Sequence, residues 1–171
     1  GILDINTLCK ETIQGNYISK WNDYKVINSS KGCTIEHGSM SSQIFLRIYD
    51  KAAERGRSDE ISHWIRSEIQ MRDDRAGEFI NRLVSVYGDE NIGQLYSGVI
   101  NQYLRYVKPN KNDSNKRRWT TRKWWLKFVK TTDKITLWTP CDLEYNLARC
   151  KRFVYNNAGN AISALIEIMG K

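Results

Sequence analysis

The residue types with the clearest chemical potential lie on two short segments, Gln43–Asp50 and His63–Arg72. The first segment, QIFLRIYD, carries Arg47 and Tyr49, and the second, HWIRSEIQMR, carries Glu68. A phenolic oxygen can attack a phosphodiester and form a covalent phosphotyrosine. It needs a metal ion or cationic neighbours to be nucleophilic at neutral pH. The two segments together therefore indicate a candidate site for phosphoryl transfer.

Each polar residue of these segments has a distinct role in that chemistry. Arg47 and Lys51 would supply positive charge to the nucleophile, Tyr49, and to the developing phosphorane. A divalent ion bound by Glu68 would polarise the phosphoryl oxygens. The same residues also fit a purely structural interpretation, because a strand tyrosine is usually packed and a glutamate flanked by arginines is usually a surface ion pair. Spacing alone leaves both interpretations open.

Both segments are typical of β-strands, because apolar and polar residues alternate along them. The apolar faces of the two segments carry Ile44, Leu46, Ile48, Ile65, Ile69 and Met71. If the strands pair and share a core face, their polar rows also share a face. The polar row consists of Arg47, Tyr49, Lys51, Arg66, Glu68 and Gln70. The sequence therefore predicts that Tyr49 and Glu68 lie close together on one sheet face.

Beyond Arg72 the hydrophobic period changes from that of a strand to that of a helix. The predicted helices are Asn6–Gln14, Asp74–Tyr87, Asn91–Lys108, Thr120–Lys130 and a last helix that opens at Thr139-Pro140, and Trp21–Asn28 is a weak strand. This order predicts one α+β domain over residues 1–171, with an antiparallel β-sheet covered by helices. Residues 1–72 form its strand-rich part and residues 73–171 its helical part. Because the chain opens inside a pattern, we expect a fragment cut from a longer protein.

Composition favours nucleic acid as the partner. The 171 residues include 27 Lys and Arg against 19 Asp and Glu, a net charge of +8, and 11% are aromatic. A basic and aromatic chain suits a polyanion with exposed bases, and the short apolar stretches predict no membrane span. Lys116, Arg117 and Arg118 are predicted phosphate contacts. Trp125, which points away from the apolar stripe of its helix, is predicted to stack on unpaired bases.

Cysteines and histidines offer little chemistry. The four cysteines form no CxxC pair, which argues against a zinc site, and we interpret them as reduced, mostly buried thiols. They are Cys9, Cys33, Cys141 and Cys150. The two histidines, His37 and His63, form no close pair on one element. A surface or structural role is predicted for His37 and a structural role for His63.

The segments around Tyr49 and Glu68 resemble the Rep_trans family. This family contains rolling-circle plasmid replication initiators and the related relaxases and replication factors of conjugative elements and phages. RIYDK at 47–51, preceded by HGSMSSQIFL and followed by AAERG, is similar to the tyrosine strand of the family. WIRSEIQMR at 64–72 is similar to its W-x-R-x-E-[IL]-x-x-R strand. The resemblance spans essentially the whole chain, more loosely after residue 90.

The resemblance implies a replication-initiator or relaxase-like fold and a set of site residues. Tyr49 matches the nucleophile, and Glu68 matches the acidic residue that binds Mg²⁺ or Mn²⁺. The basic positions around them are Arg47, Lys51, Arg66 and Arg72. The family's upstream acidic motif, of the type R-x-D-x-A-x-D, is missing from this sequence. The resemblance therefore implies a fragment that lacks the N-terminal strands of the sheet and has an incomplete metal site. We expect little or no cleavage by this chain alone.

The activity implied by the resemblance is initiation of rolling-circle DNA replication. The enzyme would nick one DNA strand at an origin hairpin, hold it as a 5′-phosphotyrosine and later rejoin it. The resemblance further implies a cytoplasmic bacterial protein whose partner is single-stranded or hairpin DNA, and it leaves open a homodimer and a helicase or accessory processivity factor. The alternative is a non-catalytic basic DNA-binding module of a mobile-element protein.

Overall fold

The computed structural model describes residues 2–30, 32–88, 91–130 and 134–137, together with 151, 152 and 155. The chain divides into two compact units, residues 1–138 and 139–171, and both β-sheets belong to the first. The helix predicted from Thr139-Pro140 onward lies, apart from 151, 152 and 155, outside the described residues. No helix among the described residues is long and apolar enough to cross a membrane.

The first unit contains both strands and helices. In chain order the elements are α1 (Ile5–Ile13), β1 (Tyr17–Ser19), β2 (Tyr24–Ser29), β3 (Gly32–His37), β4 (Ile44–Asp50), α2 (Lys51–Glu54), β5 (Ile65–Met71), α3 (Asp73–Arg82), α4 (Ile92–Tyr103), β6 (Leu104–Tyr106) and α5 (Lys123–Phe128). A π-helical turn, Leu83–Tyr87, follows α3, and a 3-10 turn, Lys116–Arg118, precedes α5. Antiparallel sheets with helices confirm the predicted α+β class.

The main sheet places the two predicted strands side by side. Its strands run in the order β2-β3-β4-β5, and every neighbouring pair is antiparallel. In the pairing of β4 with β5, Arg47 lies opposite Glu68 and Tyr49 opposite Arg66. Because directly opposed residues project to the same side of a sheet, the polar rows of the two strands share one face.

The other face of the main sheet is packed by helices. Ile35, Leu46 and Ile48 are completely buried and belong to one core cluster with Leu8 of α1 and Ile100 of α4. Burial of such side chains stabilises the fold by about 1.5–3 kcal/mol each. The predicted core face of β4 is thereby confirmed, and the helices fix the sheet from the side that does not carry Tyr49.

α1 and α4 both have ends that the hydrophobic pattern alone does not define. Asp4 caps α1 by accepting a hydrogen bond from the Thr7 N–H, at 2.7 Å. α4 stops at Tyr103, whereas the pattern predicts one helix over Asn91–Lys108. The next three residues pair with β1 as a two-stranded antiparallel sheet. Leu104 and Tyr106 are buried and Arg105 between them is not, an alternation that three residues are too short to display in sequence.

Cys9 and Cys33 are joined by a disulfide between α1 and β3. The interpretation of all four cysteines as reduced thiols is therefore wrong for this pair, and Cys141 and Cys150 lie outside the described residues. Cys33 lies on the core face of β3, where Cys9 on the inner side of α1 packs against it, and both residues are buried. Sequence spacing gave no signal, because the two residues meet only through the packing of α1 on the sheet.

His37 occupies an apolar position at the end of β3. It is completely buried, and the rings of Tyr17 and Trp21 lie 5.2 and 5.9 Å from its own. Neither ring nitrogen has a hydrogen-bond partner among the described residues. Burial therefore lowers the pKa of His37 from 6.5 to about 4. The folded chain holds this imidazole neutral, in the structural role that was one of the two predicted for it.

This burial predicts a pH-dependent stability. Between pH 6.5 and 4 the unfolded chain binds a proton at His37 that the folded chain does not, so the free energy of unfolding falls as the pH falls. The shift corresponds to a loss of about 2 kcal/mol from pH 7 to pH 5. Urea denaturation at both values should show this loss in the wild type and its absence in His37→Phe. Substitution of the exposed His63 by Phe is the control, and equal pH dependence in His37→Phe would refute the assignment.

Candidate functional site

One face of the main sheet carries Arg47, Tyr49, Arg66 and Glu68 and is called the site face. It brings three of the predicted residues into direct contact. The Tyr49 hydroxyl donates a hydrogen bond to Glu68 Oε1 at 2.7 Å. Arg47 Nη2 donates to Glu68 Oε2 at 3.0 Å, and Arg66 Nη1 lies 3.7 Å from Oε1. The predicted convergence of Tyr49, Arg47 and Glu68 on one face is confirmed. The Glu68 carboxylate is the centre of this cluster.

Two cations hold the tyrosine ring. Arg47 Cζ and Lys51 Nζ each lie 5.5 Å from the centroid of the Tyr49 ring, within the range of cation–π attraction. Lys51 does not continue the strand, because Asp50 caps α2 by accepting a hydrogen bond from the Ala53 N–H at 3.0 Å. The Lys51 side chain is buried and pairs with Glu54. The start of α2 thus places a fixed positive charge beside the phenol.

Exposure differs sharply within the cluster. Tyr49 is only 8% exposed, whereas the side chains of Arg47 and Glu68 are 44% and 37% exposed. The phenol ring is therefore immobilised while its hydroxyl faces a carboxylate that solvent and ligands reach. A groove of about 410 Å³ opens beside the cluster and is lined by Phe45, Arg47, Glu68, Ile69 and Gln70. Its volume is that of a small-molecule site, enough for a nucleotide.

Glu68 is ionised over the whole neutral range. Burial acts to raise its pKa, but the hydrogen bonds from Tyr49 and Arg47 and the charges of Arg47 and Arg66 outweigh that effect, so the pKa lies below the usual value. Each of these partners favours the carboxylate over the acid. The site therefore presents one negative charge that is surrounded by guanidinium groups.

Glu36 is a carboxylate of the site face that was not singled out from the sequence. It lies on β3 directly opposite Arg47, and its neighbour Thr34 lies opposite Tyr49. Arg47 therefore stands between two glutamates, Glu36 and Glu68, that are two strand spacings apart, or about 10 Å. The turn at 29–32 followed by alternating residues was the signal for a hairpin that would have placed Glu36 at this position.

The described residues do not fit a divalent metal ion. They contain no cluster of three or more His, Cys, Asp or Glu side chains able to hold one. The two oxygens of Glu68 already accept hydrogen bonds from Tyr49 and Arg47. Hard cations of this kind take several oxygen ligands. The metal-ligand role that the resemblance implies for Glu68 thus finds no support in this geometry.

Arg66 and Arg72 differ in their relation to the cluster. Arg66 lies over the Trp64 ring, at 5.7 Å from its centroid, and beside Glu68. Arg72 is exposed at the residue before α3, four residues along the chain from Glu68. Strand alternation directs Arg66 to the site face. The backbone at Arg72 is extended and continues that alternation one residue beyond β5. The two arginines extend the positive charge of this face in opposite directions from Glu68, along a path that a phosphate backbone can follow.

The three predicted phosphate contacts, which form the 3-10 turn Lys116–Arg118, have different surroundings. Lys116 Nζ donates to the Gly15 carbonyl at 2.9 Å, and Arg118 forms a two-pronged pair with Asp113 at 2.7 and 2.8 Å. The Arg117 guanidinium has no such partner among the described residues and lines a groove. Lys116 and Arg118 therefore shape the loop, and Arg117 is the cation most available to a ligand.

Trp125 is completely buried, so the prediction that it stacks on unpaired bases is wrong. Its indole N–H donates to the Leu104 carbonyl at 3.2 Å, and its rings pack against Tyr106 and Phe128. The helix α5 is short and directs Trp125 into the core, where Val129, the residue after the helix, also lies. The apolar stripe predicted through Trp124 and Phe128 lies to one side of the direction in which Trp125 points. The sequence pattern therefore misidentified the most deeply buried side of α5.

Burial of Trp125 predicts a large loss of stability on truncation. Trp125→Ala removes a filled core volume and should lower the free energy of unfolding by about 3–5 kcal/mol. Denaturant unfolding measures this change. Leu126→Ala on the exposed side of the same helix should cost less than about 1 kcal/mol. A Trp125→Ala variant as stable as Leu126→Ala would show that the indole is not in the core.

Comparison with known proteins places this site in context. The family model for replication initiation factors, Rep_trans, matches residues 1–171. Among solved structures, the chain is similar to a rolling circle replication initiator protein from Geobacillus stearothermophilus, with 28% sequence identity and a TM-score of 0.69. The match covers 81% of this chain and 54% of the initiator, so the chain spans about half of that protein's length. No curated protein matches the chain.

Proposed function

The chain belongs to the Rep_trans family of replication initiation factors, and on that premise we propose that it initiates rolling-circle DNA replication by nicking and rejoining one DNA strand. Rolling-circle initiators are DNA-binding nicking endonucleases, and this chain is similar to one of them. The observation that carries the proposal is the hydrogen bond of the Tyr49 hydroxyl to Glu68, with Arg47 and Lys51 on the tyrosine ring.

In the proposed reaction Tyr49 is the nucleophile. Its oxygen attacks a backbone phosphorus, the Oη–P bond forms, and the bond from phosphorus to the 3′ oxygen breaks. The downstream strand is left as a 5′-phosphotyrosine, and the upstream strand ends in a hydroxyl after its oxygen takes a proton. Attack by that hydroxyl on the phosphotyrosine reverses the step and rejoins the strand. The energy of the broken phosphodiester bond is retained in the phosphotyrosine bond, so rejoining needs no external energy source.

Glu68 positions the phenol and accepts its proton. A carboxylate whose pKa is lowered is a much weaker base than a phenolate, so transfer before attack is unfavourable. Proton transfer from Tyr49 to Glu68 becomes favourable as the Oη–P bond forms, because the tyrosine oxygen then loses its basicity. A hydrogen bond already in place at 2.7 Å lets both events proceed together.

The cations stabilise the charge that develops on phosphate. Arg47 is partly exposed and already oriented by Glu68, so a phosphate entering the adjacent groove meets its guanidinium. Arg66 and Arg72 extend this positive surface along β5. Fixed donors of this kind lower the barrier because they need no reorganisation during the reaction. Rolling-circle initiators generally use a divalent metal ion in addition to such side chains.

The experiment is a cleavage assay of the intact protein on a single-stranded hairpin oligonucleotide that carries the origin. The oligonucleotide is labelled at either its 5′ or its 3′ end, and adducts that survive denaturant are resolved on a gel. The proposal expects the 3′ label on the protein and the 5′ label on a free fragment. A non-catalytic DNA-binding module would bind the oligonucleotide without any adduct, and a 5′ label on the protein would contradict the proposed polarity.

A further inference from the structure

A second groove lies away from Tyr49, where β1 and β6 meet the end of α4. It has a volume of about 330 Å³. Its lining consists of Ile18, Ser19, Lys20, Asn101, Gln102, Tyr103, Leu104, Arg105, Arg117 and Lys134. Leu104 of β6 and Ile100 of α4 belong to the core cluster that covers one face of the main sheet. Tyr49 points from the opposite face. The two grooves have no lining residue in common.

The second groove is uniformly basic. Lys20, Arg105, Arg117 and Lys134 line it, and no carboxylate is among its lining residues that the structure describes. The remaining polar lining, Ser19, Asn101 and Gln102, offers neutral hydrogen-bonding groups. Four like charges around one concavity repel each other. An anion with several charges relieves that repulsion.

Two of these cations are fixed before any ligand arrives. Arg105 donates to Thr121 Oγ1 at 3.3 Å and to the Arg117 carbonyl at 2.8 Å. Lys20 Nζ lies 5.7 Å from the centroid of the Tyr103 ring, and its backbone N–H donates to the Tyr103 carbonyl at 2.9 Å. A preorganised cation loses less conformational entropy on binding than a free one. The basic 3-10 turn is thereby tied to the wall of the groove.

We propose that this groove binds the phosphodiester backbone of single-stranded DNA, at a place separate from the nicking site. Spaced cations with no compensating carboxylate match a chain of phosphates better than one small anion. The concavity has the size of a small-ligand site, which admits one backbone and not a duplex. The identification of the polyanion as DNA rests on the proposed function. Such a groove holds one strand on the protein whether or not Tyr49 is joined to it.

The test compares two triple variants that change the net charge equally. Lys20, Arg117 and Lys134 are exposed and are replaced by Gln, whereas Arg105 is kept because it supports the turn. The control replaces Lys10, Lys123 and Lys127, also exposed, by Gln. Fluorescence anisotropy measures binding of a labelled oligothymidylate over a range of salt concentrations. This probe contains no origin sequence and requires no cleavage.

The groove variant should bind on the order of tenfold more weakly and show a salt slope reduced by about 2, since each lost single-strand phosphate contact removes about 0.7. The control should keep nearly the full slope. An unchanged slope in the groove variant, or equal losses in both variants, would overturn the proposal. Displacement of the oligonucleotide by an equal concentration of thymidine monophosphate would assign the groove to a small anion instead. If the oligothymidylate does not bind in the groove, the Tyr49 adduct is still expected. If no adduct forms, binding in the groove is still expected. The two proposals are therefore tested separately.

Discussion

In the intact protein, Tyr49→Phe is expected to abolish the covalent protein–DNA adduct and leave DNA affinity nearly unchanged. The substitution removes one oxygen, the proposed nucleophile, and should reduce adduct formation by at least about 10⁴-fold. The ring keeps its contacts with Arg47 and Lys51, so the surface proposed to meet DNA is retained. A denaturing gel measures the adduct, and anisotropy with the same oligonucleotide measures binding.

Tyr96→Phe is the matched control for this variant. The Tyr96 hydroxyl donates to Ser67 Oγ at 2.8 Å, one residue before Glu68 on the same strand. Ser67 points away from the site face, because neighbouring strand residues alternate. Tyr96→Phe therefore removes a hydrogen-bonded phenol hydroxyl close to the site without touching the nucleophile, and the adduct should form normally. An adduct from Tyr49→Phe would mean that another residue attacks.

Glu68→Gln is expected to slow cleavage by about 10²–10⁴-fold, the usual contribution of a positioned proton acceptor. The amide keeps the shape of the side chain but lacks the negative charge that accepts the Tyr49 proton in the proposed reaction. DNA should bind as tightly as before or more tightly, because Arg47 and Arg66 lose the carboxylate that competes with phosphate. Single-turnover cleavage at saturating protein separates the rate from the affinity.

Glu78→Gln controls for the loss of a negative charge. Glu78 pairs with Arg82 at 2.7 Å on α3, outside the site face, and its replacement should leave both rate and affinity unchanged. A Glu68→Gln enzyme with the wild-type rate would remove Glu68 from the chemistry. A slower rate explained wholly by weaker binding would assign it a role in DNA recognition alone.

The central pair of strands was predictable because β4 and β5 are long enough to show their period. Alternation in QIFLRIYD and WIRSEIQMR placed Tyr49 and Glu68 on a common face before any pairing was known. The register that sets Arg47 opposite Glu68 was not predictable, since alternation fixes the face and leaves the offset along the strand free. The hydrogen bond from Tyr49 to Glu68 depends on that offset.

Very short elements and contacts between residues far apart in sequence could not be predicted from the hydrophobic pattern. β6 has three residues, too few for a visible alternation, and it follows directly on the helical pattern of α4. The Cys9–Cys33 disulfide and the burial of Trp125 arise from packing between elements far apart in sequence. To place Glu36 on the site face, one would have had to recognise the hairpin of β2 and β3 and then align β3 with β4, so that Glu36 lies opposite Arg47.

The most direct test of Tyr49 as the nucleophile is to identify the residue that carries DNA after cleavage. Trypsin cuts after Arg47 and Lys51, so an adduct at Tyr49 is released on the peptide Ile48–Lys51, sequence IYDK. The covalent complex is digested with nuclease and trypsin and analysed by mass spectrometry. We expect a nucleotide joined through phosphate to the tyrosine of IYDK. A nucleotide on any other peptide, such as the one that carries Tyr24, would contradict the central claim.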